Sequence, residues 1–178
     1  MDLTELPYCE ACALSRTRQR VVVGSGPSDP GLLVVGEAPG RSEDEGGEPF
    51  IGRSGQLLVR LIREELGLER HQYFITNAVK CRPPQNRTPR TSEVVMCHPW
   101  LEAQIDHLAP ALILAVGNVA AKAVFGHEEG ISRTHGRVSH YGAATGVATY
   151  HPAAALRGGH NVVDVMRADL RVLRELGA

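Results

Sequence analysis

Four cysteines are the residues of this sequence whose type and spacing point most directly to chemistry. Cys9 and Cys12 form a C-x2-C pair near the start of the chain, and Cys81 and Cys97 follow after a long gap, with fifteen residues between them. Four thiolates suit a four-cysteine zinc site and a [4Fe–4S] cluster equally well. The alternative is that some are buried free cysteines, which pack as small apolar side chains. Metal ligation is favoured because all four lie near loops or element ends, where two pairs can converge.

Three other chemically capable segments each follow a short apolar run. They are Gly36–Gly40, with the sequence Gly-Glu-Ala-Pro-Gly, then Asn77, and then His151-Pro152. The carboxyl ends of parallel strands meet at one edge of a sheet, where ligands bind. The segments therefore predict a single active site. Taken singly, Asn77 could cap a turn and His151 could be a satisfied loop histidine.

The loop after the first run holds a further candidate, Phe50. It lies in a Gly-rich stretch of a chain with only 4% aromatic residues, so it is a candidate for stacking on a flat ligand as well as for a core anchor. Gly36–Gly40 lacks the Gly-Lys-Ser/Thr of a P-loop. The acidic run 43–48 would repel phosphate, and we interpret it as part of a solvated loop from Glu37 to Gly55.

The elements that must position these residues alternate along the chain. Apolar runs predict strands at 32–35, 73–76, 111–116 and 147–150, and helical spacing or capping predicts helices at 57–66, 91–108, 119–125 and 162–173. We expect Thr91 to cap the second helix. This alternation predicts an α/β fold with a central four-stranded parallel sheet and helices on both faces.

Length and composition limit the number of domains and the classes of protein to which this chain can belong. The 178 residues suit one domain, 1–178, whose irregular first thirty residues carry two of the cysteines. No apolar run approaches the ~20 residues of a membrane helix, and the N-terminus lacks a secretory pattern. We therefore expect a cytoplasmic protein without membrane association. The net charge of −1 argues against a protein that coats nucleic acid, yet it allows an enzyme that touches few phosphates.

Taken together, these segments resemble the family 4 uracil-DNA glycosylases, the iron–sulfur branch of that superfamily. The resemblance runs from Cys9 to the last helix, and the order and spacing of its short motifs make it specific. The matching stretches are 36–40, Glu43-Asp44, 49–52 with 55–58, 75–84, 86–89 and 151–156, together with the cysteine spacing.

The resemblance implies a three-layer α/β/α sandwich, a [4Fe–4S] cluster on the cysteines, and uracil-containing DNA, single- or double-stranded, as the substrate of a monomer. It also implies that uracil, flipped out of the helix, enters a pocket lined by Glu37, Ala38 and Pro39. Phe50 would stack on the base. Glu43 would lie where the 5-methyl group of thymine would go.

Catalytic roles also come with the resemblance. Asn77 would read the uracil edge, since one carboxamide can pair with both N3–H and O4. His151 would stabilise the negative charge that develops on the departing ring. Many superfamily members carry a water-orienting Asp where this chain has Ala38, so we assign the activation of water to Glu37.

DNA contacts are predicted from the basic residues. Lys80, Arg82, Arg87 and Arg90 form a run without an acidic residue up to Ser92, and Arg157 follows Leu156 in the last loop. With the resemblance, we expect Arg82, Arg87 and Arg157 to meet phosphates while Leu156 wedges into the gap left by the base. The alternative is that Arg82 and its neighbours balance the charge of the cysteine centre.

Two rival functions are open to test. One is the branch of the superfamily that cross-links to uracil-DNA through a histidine in an Arg-rich insertion. The loop from Arg82 to Arg90 has no histidine, and Ala38 replaces the Gln of that branch. The other is a non-catalytic iron–sulfur or zinc DNA-binding module, which would not need a base-sized pocket formed by Phe50, Asn77 and His151.

Overall fold

A five-stranded sheet forms the centre of the protein. The computed structural model describes residues 1–158 and 160–177. The strands are β1 (Leu32–Gly36), β2 (Phe74–Asn77), β3 (Leu112–Val116), β4 (Val138–Tyr141) and β5 (Ala144–Thr149), in the order β2-β1-β3-β5-β4. All neighbouring pairs are parallel except β4 with β5. The predicted α/β class is confirmed.

The expected count of four strands was wrong because β4 has no apolar run. Its sequence, Val-Ser-His-Tyr, alternates between exposed and half-buried positions at the edge of the sheet. It pairs with β5 through a tight turn in which Gly142 adopts φ +56°. An edge strand buries little, so hydrophobicity does not mark it.

Seven helices flank this sheet among the described residues. They are α1 (Arg41–Gly46), α2 (Arg53–Leu66), α3 (Thr91–Leu108), α4 (Asn118–Phe125), α5 (Ile131–Thr134), α6 (Pro152–Gly158) and α7 (His160–Leu176). Short 3-10 turns lie at Leu3–Tyr8, Ala13–Arg16, Arg70–Gln72 and Pro84–Asn86. Among the described helices, none has the length and apolarity to span a membrane.

Helix α1 corrects the expected solvated loop. Glu43 and Asp44 are buried, and Asp44 accepts hydrogen bonds from the backbone N–H groups of Gln19 and Arg20, at 2.9 and 3.3 Å. Such tertiary contacts, which fasten the N-terminal segment to α1, are not visible in a local acidic pattern. Helices α5 and α6 were also not predicted.

Helix α3 begins as predicted, but its capping residue differs. Thr91 is the first helical residue, and Arg90 occupies the capping position without a side-chain cap. Glu93, in the first turn, accepts the backbone N–H of Arg90 itself at 2.7 Å, which is the reciprocal half of a capping box.

Alternating strand residues build two apolar cores, one on each face of the sheet. Val34 and Ile75 pack with residues of α2 and α7, whereas Leu33 and Ile113 pack with residues of α3 and α4. Because successive side chains of a strand point to opposite faces, both cores come from the same strands. The three-layer α/β/α sandwich is therefore present.

Candidate functional site

A cavity of about 510 Å³ opens at the carboxyl ends of the parallel strands. Glu37 follows β1, Asn77 ends β2, Gly117 follows β3, and His151 lies two residues beyond β5. Side chains or backbone of all four line the cavity. The volume is in the range of small-molecule sites, which is about 300–1,000 Å³.

Most of the sequence-predicted site residues converge on this cavity. Those that line it are Glu37, Ala38, Pro39, Glu43, Phe50, Asn77, Arg87, His151 and Arg157, whereas Arg82 and Leu156 do not. Sequence reasoning missed other lining residues, among them Gly117 and Tyr150. Both could have been found from their positions, since Gly117 follows a strand and Tyr150 precedes His151.

His151 is held as a neutral hydrogen-bond donor. The Ala153 backbone N–H donates to its Nδ1 at 3.2 Å, so the neutral ring carries its proton on Nε2. Burial, helped by the positive charge of Arg157 and opposed by Glu43, lowers the pKa of His151 to about 4. At neutral pH the ring is therefore uncharged. Gly117 allows its close approach, because a Cβ there would lie 3.2 Å from His151 Cβ.

Phe50 presents a flat apolar wall from a constrained backbone. It is 8% exposed, its φ is +58°, and its ring centroid lies 6.4 Å from that of His151. Such a φ costs on the order of 1–3 kcal/mol in a non-glycine residue, so surrounding contacts must impose it. Gly36 and Gly55 leave the space, because a Cβ at either would collide with Phe50.

Glu43 connects the two loops that bear these groups. Its carboxylate accepts hydrogen bonds from the backbone N–H groups of Gly40, at 3.1 Å, and Gly52, at 2.8 Å. The side chain therefore fixes the Gly36–Gly40 segment relative to the Phe50 loop while it lines the cavity. This bridging position adds a structural role to the specificity role implied by the family resemblance.

Glu37 is a carboxylate in a partly desolvated position on the cavity wall. Burial raises its pKa above the ordinary value, and a hydrogen bond from the Thr88 side chain partly offsets this effect. A raised pKa makes a carboxylate a stronger base, which is the property that proton abstraction requires.

The backbone of Asn77 is held in place by the side chain of Lys80. Asn77 is 2% exposed, and the Lys80 ammonium donates to its carbonyl oxygen at 2.6 Å. The same ammonium donates to Thr76 Oγ1 at 2.9 Å and to Gln104 Oε1 at 2.6 Å. Lys80 is 1% exposed, so this member of the basic run does not reach the surface.

The predicted basic run is also less positive than its sequence indicates. Both terminal nitrogens of Arg87 donate to the Glu93 carboxylate, at 2.8 and 2.6 Å. Glu93 lies just beyond the stretch that contains no acidic residue, and the fold turns it back onto the loop. Arg82 donates through Nε to Asn86 Oδ1 at 2.7 Å, while Arg90 is exposed.

The four cysteines lie around one small cavity, separate from the candidate active site. Their sulfurs receive N–H groups: Trp100 Nε1 donates to Cys9 at 3.2 Å, and the Lys80 backbone N–H donates to Cys97 at 3.3 Å. Arg18 lies 3.6 Å from the Cys81 sulfur. Such donors suit thiolates, which are acceptors, and the convergence of four thiols suits a thiolate-held metal group.

In the absence of a bound metal group, burial opposes deprotonation of the cysteine thiols. It raises the pKa of Cys81 to about 12 and also raises that of Cys97. A bound metal group deprotonates its thiol ligands and supplies the positive charge that a buried thiolate needs. In the described part of the chain, no three His, Cys, Asp or Glu side chains are close enough to form a site for a single metal ion.

Comparisons with known proteins agree with one another. Residues 23–172 match a family model described as the uracil DNA glycosylase superfamily. A type-4 uracil-DNA glycosylase of Pyrobaculum aerophilum is 44% identical over 88% of this chain and 86% of its own. Proteins of the same name from Sulfurisphaera tokodaii and Thermotoga maritima are 41% and 42% identical, over 97% and 86% of this chain and 81% and 80% of their own.

Proposed function

Because the chain belongs to the uracil DNA glycosylase superfamily, we propose that it is a repair enzyme that hydrolyses the N-glycosidic bond of uracil in DNA. The product is an abasic site. The observation that carries the proposal is the convergence of Glu37, Phe50, Asn77 and His151 on one cavity at the strand ends. Deaminated cytosine is the source of the uracil that such an enzyme removes.

Base recognition is assigned to Phe50 and Asn77. The Phe50 ring stacks on the flipped base, and the Asn77 carboxamide donates to O4 and accepts from N3–H. With the carboxamide in this orientation, cytosine presents the opposite donor and acceptor pattern and leaves both amide groups unpaired. Lys80 holds the Asn77 backbone in place through its 2.6 Å hydrogen bond.

Bond cleavage is assigned to His151 and Glu37. As the bond from C1′ to the base breaks, its electron pair moves onto the uracil ring, and the Nε2–H of His151 donates to the oxygen that becomes negative. A water molecule attacks C1′, and Glu37 accepts its proton. The raised pKa of Glu37 suits this task, and the lowered pKa of His151 means that it acts as a neutral donor.

The cofactor is assigned as a [4Fe–4S] cluster held by Cys9, Cys12, Cys81 and Cys97. Chemistry alone leaves zinc open, and the choice of iron rests on the similarity to type-4 glycosylases. When bound, the cluster would join the N-terminal segment to β2 and α3, which is a structural task. Lys80 and Trp100 would donate N–H groups to its ligand sulfurs.

A nicking assay tests the proposed function. Single-turnover cleavage of a uracil-containing oligonucleotide, followed by alkali, should give one product band at the uracil. His151→Ala should lower this rate about a hundred- to thousandfold, because losing one oxyanion-type donor costs ~2.7–4 kcal/mol. His71→Ala is the matched control, since His71 is exposed and does not line the cavity. Wild-type protein that binds uracil-DNA but leaves the base attached would instead identify a non-catalytic module.

A further inference from the structure

A second groove, of about 360 Å³, borders the candidate active site. It is lined by Arg53, Gln56, Leu57, Arg60 and Leu156, none of which lines the main cavity. The two spaces adjoin along the chain in two places. Arg53 precedes Ser54, and Leu156 precedes Arg157, and in each pair the second residue lines the main cavity.

One face of α2 forms the basic wall of this groove. Positions 53, 56, 57 and 60 recur at helical spacing, so they lie on the same side of the helix. Arg53 and Arg60 are seven residues apart, which is about 10.5 Å along the helix axis. Two guanidinium groups therefore lie along one edge, and the 50% exposed side chain of Leu156 contributes to the same groove.

Both guanidinium groups are available to a ligand. None of the ion pairs among the described residues involves Arg53. Arg60 Nε lies 3.9 Å from Glu64 Oε1, but both side chains are solvated, and the Glu64 carboxylate already pairs with Arg167. Exposed pairs of this kind contribute little.

We propose that this groove binds backbone phosphates of the uracil-bearing DNA strand, beside the flipped nucleotide. The inference rests on the proposed function. Charge complementarity and continuity with the cavity identify the occupant, because the groove adjoins the space that takes the base and presents two guanidinium groups to the neighbouring phosphates. A strand advances about 3.4 Å per nucleotide along the duplex axis, so the spacing from Arg53 to Arg60 spans about three nucleotide steps.

The groove offers cations for phosphate binding that are less fully paired than Arg87 of the Arg82–Arg90 loop. Arg87 is already neutralised by two hydrogen bonds to Glu93. Arg53 and Arg60 carry no comparable bidentate pair in the described part of the chain. Cations on α2 therefore take part in holding the strand.

Salt-dependent binding of a single-stranded uracil oligonucleotide tests the proposal. Arg53→Gln and Arg60→Gln are made singly and together, with Arg63→Gln as control, since Arg63 is an exposed arginine of α2 that does not line the groove. Each lost contact should reduce the slope of log K against log salt by about 0.7. The double variant should therefore bind several-fold more weakly at low salt and lose about 1.4 from the slope. Single-turnover cleavage by the Arg63→Gln control should stay at the wild-type rate.

The position of the uracil in the oligonucleotide tests which phosphates are bound. With uracil near the 5′ or the 3′ end, the double variant should lose affinity for only one of the two substrates. The proposal is overturned if the double variant matches Arg63→Gln at all salt concentrations, or if affinity falls only on duplex DNA, which would assign the phosphates to the complementary strand.

Wild-type cleavage at saturating enzyme reports separately on the proposed function. If the wild type leaves uracil in place while the double variant still loses salt slope, the groove stands and the glycosylase assignment fails. If the wild type cleaves and the double variant binds normally, the glycosylase assignment stands and the groove proposal fails.

Discussion

Protonation of His151 should be coupled to unfolding, and the coupling has a sign that can be measured. The ring has a pKa of about 4 in the folded protein, because the half-buried ring is largely desolvated and lies near Arg157, with Glu43 opposing. In the unfolded chain, the ordinary value of about 6.5 returns. Above pH 6.5 both states are neutral at this position, so His151 does not affect stability there.

Below pH 6.5 His151 becomes protonated in the unfolded state but stays neutral in the folded state, so the free energy of unfolding decreases. One unit of pKa shift corresponds to about 1.4 kcal/mol of free energy. At pH 5.0, which is about 1.5 units below the unfolded-state pKa, proton uptake stabilises the unfolded state by about 1.5 such units. The free energy of unfolding should therefore fall by about 2 kcal/mol between pH 7.5 and 5.0 through His151 alone.

Replacement by a non-titrating residue isolates this contribution. In His151→Asn, the side-chain oxygen can still accept the Ala153 N–H that now reaches Nδ1, but no proton is taken up. Urea denaturation of both proteins at pH 7.5 and 5.0 gives four free energies of unfolding. The wild type should lose about 2 kcal/mol more than the variant. If the two proteins lose stability in parallel, the protein does not hold His151 neutral, and the neutral-donor mechanism is wrong.

Three other variants probe the remaining groups. Glu37→Gln should lower single-turnover cleavage about a hundred- to ten-thousandfold, and the wild-type rate should fall as pH drops through the raised pKa of Glu37; an unchanged rate in the variant would exclude Glu37 as the base. Glu43→Gly should admit some thymine opposite guanine, and it should also destabilise the protein by roughly 1–3 kcal/mol, because the N–H groups of Gly40 and Gly52 lose their acceptor. Thymine that stays refractory in a folded variant would show that another group excludes the methyl. Cys97→Ser should lower soluble yield and iron content together while the remaining loaded protein still cleaves; a colourless wild type with stoichiometric zinc after anaerobic preparation would refute the cluster.

The location of the site could be predicted from sequence, because ligands bind at the carboxyl ends of parallel strands. Glu37, Asn77 and His151 each follow or end an apolar run, and parallel strands bring such positions to one edge of the sheet. The resemblance to family 4 glycosylases supplied their chemical roles. Apolar periodicity also located the four strands of the parallel sheet, because burying both faces requires continuous hydrophobic runs.

Elements that depend on contacts distant in sequence escaped prediction. Residues 43–46 of the acidic stretch lie in α1, where Asp44 receives N–H groups from residues 19 and 20, which the fold brings alongside. The edge strand β4 has no hydrophobic run, since one of its sides has no partner strand.

Sequence determined which charges this protein has, and tertiary structure decided which of them are available. The run from Lys80 to Arg90 reads as basic, yet Lys80 is buried on three oxygen acceptors and Arg87 is held by Glu93. The pKa of His151 is likewise lowered mainly by burial, which the sequence around it does not reveal. Charge–charge energies depend on distance and desolvation, and both are properties of the fold.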